Sequence, residues 1–136
     1  MLANGTKLGY KKKGGPTYTD LPGLKEIPDL GVDAEKVDNT VLTDPHKKYE
    51  MGIGDLPDMV YKFKYENASS TSPFRVLREA QESGEVLSFQ ETDPDGTVIE
   101  FDAQVSVKRT GGGVNGAIGF DLTVIVQSDI SYTDPA

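Results

Sequence analysis

The chain has 136 residues and a formal net charge of −8, with a sequence pI of about 4.6. That is long enough for one domain with its own core and acidic enough to repel phosphate backbones, which argues against sequence-specific DNA binding. The absence of cysteine excludes disulfide frameworks, thiolate zinc sites and cysteine nucleophiles.

At the N-terminus, Lys7, Lys11, Lys12 and Lys13 face no acid in the first thirteen residues, whereas Asp20 to Asp58 holds ten acids against four lysines. A chain that carries its signs in blocks can assemble with copies of itself, although solvated surface charge has the same appearance. Met1 to Lys13 lacks the apolar centre of a signal peptide, and no apolar run reaches the roughly 20 residues of a membrane span. Neither export by such a signal nor membrane binding is expected.

The segments "TKLGYKK", "GLKEIP" and "EKVDNTVLT" are short strand candidates separated by glycine and proline. The stretch from Asp44 to Asp58 is far longer than a two-residue hairpin needs. It holds the only histidine, His46, which has no obvious acid/base partner in sequence and reads as a solvated loop residue.

"MVYKFKYE" alternates Met59, Tyr61, Phe63 and Tyr65 with Lys62, Lys64 and Glu66, the period of a half-buried strand. In "TSPFRVLREAQESGE" the period changes. Ser72 can cap, Pro73 suits the first helical position, and Phe74, Leu77 and Gln81 recur at three and four residues. Val76 and Ala80 widen the apolar stripe, Arg75, Arg78, Glu79 and Glu82 stay outside, and Gly84 can terminate the turn. The pattern predicts one helix over residues 73–83 that covers a sheet.

"EVLSFQE" reads as a strand, followed by the tight-turn signature "DPDG". The next run, "GTVIEFDAQVSVKR", puts Ile99, Phe101, Ala103, Val105 and Val107 on one face and Glu100, Asp102, Gln104, Ser106 and Lys108 on the other. "AIGFDLTVIVQS" then places Ile118, Phe120, Leu122, Val124 and Val126 inward. Three consecutive strands are expected to form a meander, the last two joined through "TGGGVNG".

Chemistry-bearing motifs are weak. "TDPDG" lacks the later ligands of a calcium loop, and "TGGGVNG" lacks both the GK[ST] ending and a following helix that would meet phosphates. Four lysines around "KKKGG" do not make a nucleic-acid binder. Glu100, Asp102 and Asp121 share the polar faces of the two best strands and could form a glycosidase-like carboxylate pair; a water-facing sheet surface explains them more simply. No catalytic, cofactor or metal constellation is found.

In order along the chain, "GTKLGYK", "YTDLPGLKEIPDLGVDAEKVDNTVL", "SPFRVLREAQESGEV", "QVSVK" and "GVNGAIGFDLTVIVQSDI" resemble the major tail tube proteins of long-tailed, siphovirus-like bacteriophages. The resemblance runs from Gly5 to about Ile130 and is closest in "PGLKEIPDLG" and "SPFRVLRE". It implies a mainly β, sandwich- or barrel-like fold with one flanking helix, related to the tube proteins of contractile injection systems. It also implies hexameric rings that stack into a hollow virion conduit for DNA, assembled in the host cytoplasm.

Implied partners are other copies of the chain and the tail tip or initiator, tape measure and terminator proteins, with DNA passing without specific binding. Within that frame the single domain 1–136 comprises an N-terminal arm 1–13, a flexible stacking loop at about 38–58 and a C-terminal tail 129–136. His46, Lys47, Lys48, Tyr49, Met51 and Ile53 are candidate ring-stacking residues, ordered only by a neighbour. Glu100, Asp102 and Asp121, with Lys62 and Lys64 beside them, are candidate bore residues. Lys11, Lys12 and Lys13 are candidate contacts to an acidic neighbour. The competing readings are a tube protein of a phage-derived secretion or toxin-delivery machine and a monomeric β-sandwich binding module.

Overall fold

The computed structural model describes residues 1–31, 36–43, 45–46, 49–51, 58–114 and 116–136. Among them are ten strands and one helix: β1 (Lys7–Lys12), β2 (Thr19–Asp20), β3 (Leu24–Glu26), β4 (Lys36–Asp38), β5 (Tyr49–Met51), β6 (Met59–Lys64), α1 (Pro73–Ser83), β7 (Leu87–Thr92), β8 (Val98–Thr110), β9 (Gly119–Val126) and β10 (Ser131–Thr133). The main sheet runs β2-β1-β7-β8-β9-β6-β3, with β10 also paired to β8, while β4 and β5 form a separate two-stranded ribbon.

The expected meander is present. β7, β8 and β9 are consecutive antiparallel neighbours, with Phe89 opposite Phe101 and Val105 opposite Val124. Between β7 and β8, the Asp93 N–H donates to Thr97 O, the Gly96 N–H donates to Asp93 O, and Gly96 takes a φ of 96° that favours glycine.

Alternation decides what is buried. Met59, Tyr61, Phe63, Leu87, Phe89, Ile99, Phe101, Ala103, Val105, Phe120, Leu122 and Val124 all join one core. Phe63 and Phe120 stack with centroids 5.1 Å apart, and Phe74 of α1 meets Phe120 edge-on at 5.4 Å. The helix thus lies on the apolar side of the sheet, burying Leu77 and Ala80, as its stripe predicts.

The sheet is curled. β6 and β7 are separated by β9 and β8, roughly 14 Å along a flat sheet at ~4.8 Å per strand. Yet the Tyr61 hydroxyl of β6 donates to the Glu91 carboxyl of β7 at 2.9 Å. Curling brings the two inward faces together and gives the architecture of a half-barrel closed on one side by α1.

The strand candidate "TKLGYKK" is β1, laid in register along β7 from Lys7 opposite Thr92 to Lys12 opposite Leu87 with Leu8 fully buried, so most of the segment 1–13 belongs to the sheet. Three local expectations are corrected. The tail 129–136 contributes β10, whose Tyr132 pairs with Ile99, so it continues the line of β9 along β8. Ile118, expected inward, precedes β9 and stays 44% exposed. Ser72 does sit at the N-cap, but its Oγ accepts the upstream Ser69 N–H at 3.1 Å and makes no bond to the helix. The C-terminal expectation holds: Gly84 is left-handed at φ 72° and its N–H donates to Ala80 O.

Candidate assembly surfaces

Strand parity that buries one side of the sheet leaves the other side polar, and the pairing registers assemble that side into rows. Asp121 of β9 lies opposite Lys62 of β6 and also opposite Lys108 of β8, while Glu26 of β3 lies opposite Lys62. The row Glu26, Lys62, Asp121, Lys108 therefore alternates in sign across four strands. The next row toward the other end pairs Ser106 with Thr123 and Thr123 with Val60.

Glu100 and Asp102 stand further along the same face of β8, apart from Asp121. Asp102 lies opposite Ser88, which in turn lies opposite Lys11 of β1. The Ser88 hydroxyl donates to the Asp102 carboxylate at 2.6 Å, and the Asp102 N–H donates to Ser128 Oγ. The Tyr18 hydroxyl donates to Glu100 Oε2 at 3.0 Å. Burial, the hydrogen bond to Glu100 and the nearby carboxylate charges push the Tyr18 phenol up to about 12. Lys11 Nζ stands 4.5 Å from the centre of the Tyr18 ring.

A shallow pocket of about 320 Å³ collects Lys11 and Lys13 with Glu100, Asp102 and Asp129. The basic segment thus lines a pocket together with acids of its own chain. The candidate acidic surface is consequently interleaved: Asp102 and Asp121 have lysine in their rows, and Glu100 shares the pocket with Lys11 and Lys13. Pairing registers, which place β1 beside β7, were not readable from alternation alone.

The candidate stacking residues belong to a different element. Tyr49 and Met51 lie on β5, paired with Asp38 and Lys36 of β4. His46 is exposed, and Lys47, Lys48 and Ile53 lie outside the described residues. Between the two strands, Leu42 is fully exposed and Val41 is 56% exposed, an apolar pair that the sequence pattern did not single out. Among the described residues, no group of three or more acids or histidines could hold a metal ion, and no helix is long and apolar enough to cross a membrane.

Comparison with known proteins places this geometry. The profile of the family described as phage tail tube protein, TTP, matches residues 10–135. No curated protein sequence matches significantly. Among solved structures, the fold is similar to a chain in the tail of an empty gene transfer agent particle of C6 symmetry, with a TM-score of 0.73 and 21% identity over 96% of this chain and 98% of that one. It is similar to the SPP1 tail tube, with a TM-score of 0.71 and 11% identity over 96% of this chain and 77% of that one. It is also similar to a chain of the sixfold-symmetrised anti-feeding prophage baseplate, with a TM-score of 0.60 and 14% identity over 98% and 95%.

Proposed function

The chain belongs to the phage tail tube protein family, and from that premise we propose that six copies close into a ring and that rings stack into a hollow conduit for DNA. The chain is a structural component of a phage tail tube. The observation that carries the reading is the match of one tube-protein profile to residues 10–135, nearly the whole domain. Sixfold symmetry is supported by the gene transfer agent tail and the anti-feeding prophage baseplate, which share the fold.

The polar side of the sheet, with Glu100, Asp102, Asp121, Lys62 and Lys64, lines the bore. Helix α1 covers the opposite side, so this is the broad sheet face left for a lumen. Its charge is interleaved, offering no row of lysines to hold phosphates and no uniform wall of acid. The β4–β5 ribbon, with Leu42 at its exposed end, contacts a neighbouring copy, where burying the leucine stabilises the contact. Lys12 and Lys13, both exposed, remain candidates for an acidic neighbour. The chain acts without catalysis, is assembled in the host cytoplasm and meets initiator, tape measure and terminator proteins at the tube's ends and interior.

Because the chain has no cysteine, single introduced cysteines report each face cleanly. Thr123→Cys on the polar side and Glu79→Cys on the exposed side of α1 are both expected to react with a bulky polymer-linked maleimide in the free subunit. In tubes seen by electron microscopy, only Glu79→Cys reacts quickly. Equal labelling in tubes removes the bore assignment, and a subunit that stays monomeric even beside its tail-tip initiator shifts the reading to a solitary binding module.

A further inference from the structure

Glu91 is the one carboxyl buried among the described core residues, 1% exposed on the inward side of β7 between the positions of Leu8 and Ile99 in neighbouring strands. The hydroxyl of fully buried Tyr61 reaches it from β6 at 2.9 Å. Two residues on, at the β7–β8 turn, Asp93 Oδ1 is buried with no hydrogen-bond partner. No cation within ion-pair distance compensates Glu91 among the described residues. β1 and β8 present the non-ionising Leu8 and Ile99 opposite it, so among the described residues the titratable groups facing it are Tyr61 and Asp93.

A buried carboxylate with no cation is costly, and two carboxylates side by side are worse; both costs fall if one proton is kept between them. We propose that Glu91, Asp93 and Tyr61 form a proton-gated clamp that holds the curl of the sheet. In the closed state, neutral Glu91 donates its proton toward Asp93 Oδ1 and accepts from Tyr61, tying β7 to β6 across the half-barrel. Loss of that proton strengthens the Tyr61 hydrogen bond but puts an uncompensated charge beside Asp93 in the core, and that larger cost destabilises the closed sheet.

The direction of titration agrees. Desolvation first, then the neighbouring Asp93, push the Glu91 carboxyl up to about 7, while the Tyr61 hydrogen bond acts in the opposite sense. Because the folded value is raised above the ordinary 4.5, the folded state holds a proton that the unfolded chain has released. The advantage of neutral Glu91 is complete below that ordinary value, shrinks as pH rises, and is gone above about 7.

The test uses the isolated subunit, so its result is independent of whether tubes form. Carboxyl-carbon NMR of the wild-type protein is expected to show Glu91 titrating near 7, and Asp93→Asn to lower that midpoint. In denaturant titrations, the wild type loses about tenfold in folding constant per pH unit relative to Glu91→Gln, across the window between the ordinary and raised values. Tyr61→Phe, which retains both carboxyls, moves the Glu91 midpoint upward and serves if Glu91→Gln does not fold. An ordinary carboxylate midpoint for Glu91, or a midpoint indifferent to Asp93→Asn, overturns the clamp.

Discussion

At the scale of single residues, the clearest constraint is a missing side chain. An added Cβ at Gly119 would stand 2.8 Å from the Phe63 carbonyl oxygen, inside any real contact distance and against backbone that cannot swing away. Gly119→Ala should therefore cost about 1–3 kcal/mol, as overpacking does, read as a lower urea midpoint with unchanged slope. Its neighbour acts in the opposite sense. Phe120 joins Phe63 and Phe74 in one aromatic group, so Phe120→Ala should cost about 3–5 kcal/mol in the same assay. Alternation along "AIGFDLTVIVQS" separates these two roles, placing Phe120 inward and Gly119 opposite. The same alternation puts Glu91 inward with Leu87 and Phe89, but a period of two does not say that a tyrosine three strands away will supply its hydrogen bond.

At the scale of elements, β8 outruns its neighbour. β7 pairs only as far as Ala103, whereas β8 continues to Thr110, leaving a row of backbone groups that would otherwise be open to another chain. Helix α1 fills part of that gap: Gln81 Oε1 accepts the Val107 N–H at 2.8 Å, and Gln104 Nε2 donates to Gly84 O at 3.0 Å. Gln81→Ala is expected to raise amide exchange at Val107 about tenfold, the equivalent of one hydrogen bond near 1.4 kcal/mol, with exchange at Phe101 unchanged. The helix and the β7–β8–β9 meander were legible because each carries its own period and its own punctuation. β10 was not, and of the ribbon only β4, inside "EKVDNTVLT", was read as a strand: three residues of strand have too little pattern to declare a partner, and β10 exists because Ser131 to Thr133 falls beside β8 once β9 is in place. The lysine-rich start was readable either as a strand or as an arm, and burial of Leu8 decides for the strand.

At the scale of the whole molecule, the net charge of −8 does not describe the surface proposed to meet DNA. The acids were readable one by one, but their lysine neighbours come from β1, β6 and β8, whose pairing only the completed sheet defines. An interleaved row repels DNA weakly and gives it no holding point, since a phosphate drawn to Lys62 or Lys108 also meets Asp121 between them. Asp121→Lys removes that check and leaves three lysine side chains in one row on each of the proposed six subunits. Particles built with it should release DNA more slowly at low ionic strength and recover as salt is raised, because counterion release weakens every phosphate contact together. Glu79→Lys changes the charge by the same amount on the exposed side of α1 and should leave release unchanged. Equal slowing by both variants would mean that net charge, and not this row, governs passage; slowing by Asp121→Lys alone is the outcome that a bore-lining sheet requires.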